Sequence, residues 1–318
     1  NGFKMMTQNH DDHFHMIYPK GNPNYMSLPG LTVLFGGMWI VNLNYWGCNQ
    51  YITQRALGAD LNTARNGLLF AAFLKLLMPV IVTLPGIAAY ALYQKGLFQQ
   101  EMLGVDGTFN QDRAYPVLLN LLPVGLKGLS FAALTAAVVA SLAGKANSIS
   151  TIFTLDVFKP YFAKDMTEKK LVLVGRWTIV VAMILAIVIS PFMGIEKKGG
   201  FQFIQEMTGL LSPGIFAAFI MGFFWKKTNS AGAFFAIVGG FAIALSMHNN
   251  WLPGTDWTTV PFLDRMGWVF VICVAVMFVL SLILPDEKKG LEVDSSMFKT
   301  TKGFAVGATI VIATIVFL

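Results

Sequence analysis

The sequence predicts an all-α integral membrane protein whose helices cross the bilayer about eight times. Of the 318 residues, 55% are hydrophobic and only 13% are charged, whereas soluble domains carry about 25% charged residues. The hydrophobic residues are concentrated in runs long enough to span a bilayer. The net charge of +6 does not indicate a nucleic-acid partner, because the basic residues lie in short loops between these runs.

Eight apolar runs define the predicted transmembrane domain, which covers residues 30–318 and follows an extracellular loop at 1–29. The predicted spans are 30–48, 66–93, 124–156, 170–194, 201–225, 230–247, 267–285 and 304–318. The chain has no initiator Met and ends within an apolar run, so we expect it to be an internal fragment of a longer protein.

The basic residues predict the orientation of the spans. Thirteen of the 23 Lys and Arg residues lie in loops on one side, seven in loops on the other and three within apolar runs. Because cytoplasmic loops are richer in Lys and Arg, the richer side is predicted to be cytoplasmic. Residue 1 then lies outside, and the first span runs inward.

Polar residues interrupt the first span where it should cross the middle of the membrane. The stretch "VNLNYWGCNQ" places Asn42 and Asn44 directly before Tyr45 and Trp46. An unsatisfied polar group costs roughly 2–7 kcal/mol in an apolar medium. The amides could support a discontinuous helix that forms a binding site, as in many transporters, or could bond to neighbouring helices. The two aromatic residues could equally be interfacial anchors.

Other polar residues lie within later spans, and each has two interpretations. Lys75 lies about nine residues into its span and thus about 13 Å deep, which suggests a functional role, a snorkelling side chain or an ion pair. Gln205 could bond a ligand or another helix, and Glu206 is expected to be a structural partner for a buried donor. Thr135 and Ser141 could bond backbone carbonyls or ligate a hard cation.

The third and fifth runs contain residues that affect how a helix packs or whether it is continuous. The third run is mostly Ala, Ser and Gly around residues 130–150. Small residues permit close helix packing in a bilayer, so this helix is expected to be buried in a bundle. The fifth run contains Pro213, which is expected to break or kink its helix.

The sequence contains no pattern typical of an enzyme or of a nucleic-acid-binding module. His10, His13 and His15 could bind a metal, but a solvated loop is the favoured interpretation because no matching ligand set surrounds them. Cys48 and Cys273 lie in or beside apolar runs and imply no disulfide framework. We therefore expect no enzymatic activity and no metal site apart from the one considered below.

Several segments, taken together, resemble the sodium:solute symporter family, and most of all its sugar-transporting members. These segments are "NLNYWGCNQYITQRAL", "FAAFLKLLMPVIVTLPGIAAY", "AYPVLLNLLPVGLKGLSFAALTAA", "NSISTIFTLD", "FQFIQEMTGLLSPGIFAAFIMGFFWKKT" and "DSSMF". They occur in the family's order and cover nearly the whole chain, which matches roughly the C-terminal three-fifths of such a protein. The resemblance implies a LeuT-type inverted-repeat fold, represented here by the second repeat and extra C-terminal helices. The span at 30–48 would be the broken first helix of that repeat.

The resemblance also implies a function. It is sodium-coupled symport of a galactose- or glucose-like monosaccharide by alternating access, with a co-transported sodium ion, in a bacterial inner (plasma) membrane. The implied partners are the sugar, sodium and the lipid bilayer. The alternatives are symport of another polyol or organic solute with weakened sodium or proton coupling, or a non-concentrative channel or sensor.

By the same resemblance, Asn42, Lys75 and Gln205 match residues that bind the sugar. Amides and an ammonium suit a substrate covered with hydroxyl groups, because each donates hydrogen bonds and the amides also accept them. Tyr45, with its neighbour Trp46, matches the aromatic gate on the cytoplasmic side of the sugar.

The resemblance places a sodium site on the third span. Ala137 matches a carbonyl ligand and Ser141 a hydroxyl ligand. Ala140 stands where the family's galactose transporters have a second hydroxyl ligand. Lys145 lies one turn beyond Ser141 on the same face. These two departures predict weakened sodium binding.

Overall fold

The computed structural model describes residues 14, 17–104, 106–192, 200–284 and 294–317. Within these ranges the regular structure is helical, and the pairing of extended chain is limited to isolated bridges. The predicted all-α class is therefore confirmed.

The α-helices are numbered here in chain order. They are α1 Thr32–Phe35, α2 Met38–Leu43, α3 Gln50–Leu57, α4 Leu61–Lys75, α5 Leu84–Gln94, α6 Ala114–Asn120, α7 Val124–Thr151, α8 Lys159–Phe162, α9 Glu168–Ile189, α10 Gly200–Phe224, α11 Ser230–Phe234, α12 Gly240–His248, α13 Phe262–Ile283 and α14 Lys302–Phe317. π-helical segments join several of them, at Asn44–Cys48, Pro79–Thr83, Ile152–Phe158 and Phe235–Gly239.

Six continuous helical stretches in the described ranges are long and apolar enough to cross a membrane. They are Leu61–Gln94, Val124–Phe162, Glu168–Phe192, Gly200–Phe224, Ser230–His248 and Phe262–Ile283. The first predicted span is instead divided into short helices, and α14 has only 16 residues. Which of the eight predicted runs span the bilayer stays a prediction.

The chain forms two compact units. The first contains the described parts of Asn1–Thr53, Asp60–Leu77 and Gly200–Leu318, and the second contains Gln54–Ala59 and the described parts of Met78–Gly199. The first unit includes α1, α2, α4 and α10–α14, whereas the second includes α5–α9.

In the first unit, α10 packs against the segment Phe235–Gly239, α12 and α13 at backbone distance. A methyl group added at Gly214 would lie 2.0 Å from the carbonyl oxygen of Ala236, and one added at Gly240 would lie 2.7 Å from Sγ of Cys273. Small residues allow this approach, since dispersion contacts and not water exclusion drive helix packing in a bilayer. Of the expected break or kink at Pro213, a break is not found, because α10 continues through this fully buried residue; a kink stays a prediction.

The C-terminal helix α14 is attached to α4 within the same unit. The guanidinium group of Arg65 donates to the carbonyl oxygens of Met297 at 2.6 Å and Lys299 at 2.7 Å. These carbonyls belong to the turn that precedes α14. Further along, Gly307 lies against Leu69.

In the second unit, α7 packs against α9 through its C-terminal part. The hydroxyl of Ser150 donates to the carbonyl oxygen of Gly175 at 2.9 Å. Residues 131–143, the small-residue part of α7, are exposed. The expectation that this part of the helix is buried is therefore wrong for the described structure, because only the later turns contact α9.

Candidate functional site

The first predicted span is interrupted where its amide side chains occur. After α2, the chain widens into a π-helical turn at Asn44–Cys48, and Asn49 then adopts an extended conformation with φ −87° and ψ 115°. The side-chain oxygen of Asn49 accepts from the backbone N–H of Tyr51 at 3.1 Å, and this bond supports the restart at α3. The predicted discontinuity of this helix is confirmed.

Asn42 lies one residue before the end of α2. Its side chain is exposed, and its amide nitrogen donates to the carbonyl oxygen of Met38 at 2.8 Å. This bond fixes the side chain along its own helix and does not link it to a neighbouring one. The alternative of helix-to-helix bonding therefore does not describe Asn42.

The aromatic pair and Lys75 come together beside this break. The rings of Tyr45 and Trp46 meet edge to face with centroids 5.8 Å apart. The ammonium nitrogen of Lys75, at the end of α4, lies 5.1 Å from the centroid of the Trp46 ring, within the range of a cation–π interaction. Within the described ranges the ammonium group of Lys75 contacts this ring, and its role stays a prediction.

A polar face of α10 meets the same break. Gln205, Thr208 and Ser212 follow one another at spacings of three and four residues, which places them on one face. The amide nitrogen of Asn44 donates to the hydroxyl of Ser212 at 3.3 Å. Gln205 is half-buried on this face, but no hydrogen bond in the described part of the chain joins it to Asn42.

Glu206 points away from this face into the first unit. Its side chain is 9% exposed, its carboxylate accepts from the amide of Gln202 at 3.3 Å, and it acts electrostatically on Arg265 of α13. The expectation that Glu206 is a structural partner for a buried donor is confirmed.

The residues expected to ligate sodium lie in the second unit. Ala137, Ala140, Ser141 and Lys145 are all exposed on α7. The hydroxyl of Thr135 donates to the carbonyl oxygen of Phe131 at 2.9 Å, so of its two interpretations the backbone bond is observed. The roles of the other four residues stay predictions.

No cluster of three or more His, Cys, Asp or Glu side chains suited to a metal occurs in the described ranges. The candidate metal ligands His10, His13 and His15 lie outside the described residues.

Sequence reasoning missed the link between Asn44 and Ser212. The unusual amide at 44 was visible, but its partner lies 168 residues later in the chain. The three- and four-residue spacing of Gln205, Thr208 and Ser212 was the available signal that this face of α10 meets another polar element.

The fold and these polar residues define a multi-pass helical membrane protein with a broken helix that carries amide and aromatic side chains. A family model for the sodium:solute symporters matches residues 3–240. The chain belongs to the sodium:solute symporter family.

Similar proteins include sugar and polyol cotransporters. A sodium/glucose cotransporter of Vibrio parahaemolyticus is 45% identical over 316 residues, which cover 96% of this chain and 57% of that protein. A human sodium/myo-inositol cotransporter 2 is 37% identical over 74% of this chain and 35% of its own length. A Bos taurus sodium/mannose cotransporter is 31% identical over 86% of this chain and 49% of its own length. The chain thus spans 57% of the first of these relatives and less than half of the other two.

Proposed function

We propose that this chain forms the substrate-binding second part of a sodium-coupled symporter for a galactose- or glucose-like monosaccharide, which works by alternating access in a bacterial inner membrane. Residue 1 lies on the periplasmic side, as the distribution of basic residues predicts. The broken helix and the polar face of α10 belong to a LeuT-type second repeat, in which discontinuous helices form a site near the middle of the membrane.

The observation that carries this proposal is the contact of the Lys75 ammonium group with the aromatic pair, at a helix break that also carries Asn42 and Asn44. The distance of 5.1 Å between the ammonium nitrogen of Lys75 and the Trp46 ring supports a common site. A sugar presents hydroxyl groups around its edge and an apolar C–H surface on its face. Lys75, Asn42 and Gln205 offer hydrogen bonds to the hydroxyls, while Tyr45 and Trp46 offer apolar surface and act as the gate.

Sodium is bound, in this proposal, by the carbonyl of Ala137 and the hydroxyl of Ser141, together with further oxygen ligands from the rest of the protein. Oxygen donors suit a hard cation. Ala140 supplies no hydroxyl, and Lys145 adds a positive charge one turn away, so sodium coupling is weaker than in relatives that have a hydroxyl there. The names of the myo-inositol and mannose cotransporters support a related polyol as the alternative substrate.

The test is uptake of labelled galactose into proteoliposomes that contain the intact protein, driven by an inward sodium gradient. Asn42→Ala, Lys75→Ala and Gln205→Ala should each weaken apparent sugar affinity on the order of 5–150-fold, because a sugar hydroxyl that is enclosed in the site and left unpaired costs about 1–3 kcal/mol. Competition by unlabelled glucose, mannose and myo-inositol ranks the substrates.

A matched control is Asn249→Ala. Asn249 is an exposed amide that donates to the carbonyl oxygen of Leu245 in its own helix, as Asn42 does to Met38. It should transport as the wild type does. Wild-type affinity in all three site variants would show that these residues do not bind sugar, and uptake that never exceeds equilibrium would identify a channel.

A further inference from the structure

The carboxamide nitrogen of Asn44 has a hydrogen-bond partner, whereas the carboxamide oxygen has none among the described residues. Its nitrogen donates to Ser212 at 3.3 Å. Its oxygen Oδ1 is buried and has no hydrogen-bond partner among the described residues. Asn44 begins the π-helical turn that also carries Tyr45 and Trp46.

The orientation of this amide is determined by its partner. Ser212 is 1% exposed, and its hydroxyl donates its single proton to the carbonyl oxygen of Thr208 at 2.8 Å. The oxygen of Ser212 can therefore only accept from Asn44. If the Asn44 amide were flipped, its oxygen would face an oxygen without a proton to share, so Nδ2 faces Ser212 and Oδ1 faces the other way.

A buried amide oxygen requires a donor from another molecule when the surrounding protein supplies none. Leaving such an acceptor unpaired is unfavourable, since buried polar groups in proteins are nearly always hydrogen-bonded. Asn44 lies two residues from Asn42 and next to Tyr45, both of which belong to the proposed sugar site. The described residues supply no donor to this oxygen, so its partner is a substrate hydroxyl, a bound water or a donor from the rest of the protein.

We propose that Asn44 is a further specificity-determining residue of this site, whose Oδ1 accepts a hydrogen bond from one hydroxyl group of the transported sugar. This inference rests on the proposed sugar-transport function. Ser212 is the positioning residue that holds the amide in the accepting orientation, and it does not itself touch the substrate.

The experiment measures inhibition of galactose uptake by the 2-, 3-, 4- and 6-deoxy forms of galactose, for the intact wild type and for Asn44→Leu, which has a similar size and no acceptor. Asn44→Leu should lose about 5–150-fold in apparent affinity for galactose. One deoxy sugar, the one without the donating hydroxyl, should bind wild type and variant equally. The other three should show the full loss.

A bound water would give a different result. The same loss for all four deoxy sugars and for galactose would show that Asn44 holds a water or another group of the protein, and an unchanged affinity for galactose would show that Oδ1 has no role. Either result overturns the proposal. Ser212→Ala frees the amide to rotate and should reduce the selectivity among deoxy sugars with a smaller loss of galactose affinity.

Further variants distinguish a failure of this inference from misfolding and from a failure of the proposed function. Asn44→Ala also removes the acceptor, with a smaller side chain, and replaces the Leu variant if that form is not recovered folded. The Asn249→Leu variant changes an exposed amide and should leave every affinity unchanged. If wild type takes up no sugar, or if Asn42, Lys75 and Gln205 variants all resemble wild type, the proposed function itself fails.

Discussion

Asn229 joins the start of α11 to the end of α13, and its replacement should be among the most destabilising changes in the first unit. The side chain is 4% exposed. Its oxygen accepts from the backbone N–H of Gly232 at 2.7 Å and from the hydroxyl of Ser281 at 3.3 Å. Its nitrogen donates to the carbonyl oxygen of Leu280 at 3.1 Å and to that of Leu284.

The size of the effect follows from these bonds. Asn229→Ala removes the N-cap of α11, which costs about 1 kcal/mol. It also leaves at least one buried group at the end of α13 without a partner, which costs about 1–3 kcal/mol. The free energy of unfolding should therefore fall by about 2–4 kcal/mol, which corresponds to a decrease in apparent Tm on the order of 3–6 °C for a chain of 318 residues.

The assay is thermal unfolding in detergent, followed by reaction of a thiol-specific dye with Cys273. This thiol is fully buried in α13, so it reacts only when the helices separate. A Cys48→Ser background removes the other thiol, which is partly accessible. Asn249→Ala, an exposed amide, should change stability by less than about 0.5 kcal/mol. Equal melting temperatures for the Asn229 and Asn249 variants would refute the reasoning.

Two further predictions concern transport. Tyr45→Ala should lose coupled uptake, because it removes the ring proposed to lie between the sugar and the cytoplasm. Tyr45→Phe should retain much of the uptake. Normal sodium-driven uptake by the Ala variant would show that Tyr45 is a packing residue only. Ala140→Ser combined with Lys145→Met should lower the sodium concentration that gives half-maximal uptake. In the proposed sodium site, the first change restores an oxygen ligand. The second removes the repulsion between the ammonium group and sodium, which is roughly 3 kcal/mol at about 6 Å and a dielectric of about 20. An unchanged or higher sodium requirement would show that neither residue tunes the site.

The sequence predicted the features that depend on local composition. Long apolar runs indicated the helices, and the amides between Asn42 and Asn49 indicated the break in the first one. Glu206 was correctly expected to be a structural partner, because a carboxylate beside apolar residues requires a nearby donor. These signals lie within a few residues of the feature that they predict.

The features that depend on distant partners could not be read in the same way. Pro213 suggested a broken or kinked helix, but α10 continues through this residue, which is buried against other elements. The exposure of residues 131–143 depends on which helices lie beside α7, and the anchoring of Asn44 depends on Ser212. In each case the deciding contact is made with a residue far along the chain, which a local pattern does not encode.

The close approach at Gly214 and Gly240 also limits how the first unit can deform. Because Gly214 faces the backbone of Ala236 and of Gly240, few side chains there can change rotamer to absorb a shift, and sliding one helix past the other would drive peptide groups into each other. We therefore expect α10 and the helical segment that follows it to move as one rigid unit. Bending within the first unit is therefore expected at less tightly packed segments, of which the π-helical turn at Asn44–Cys48 is one.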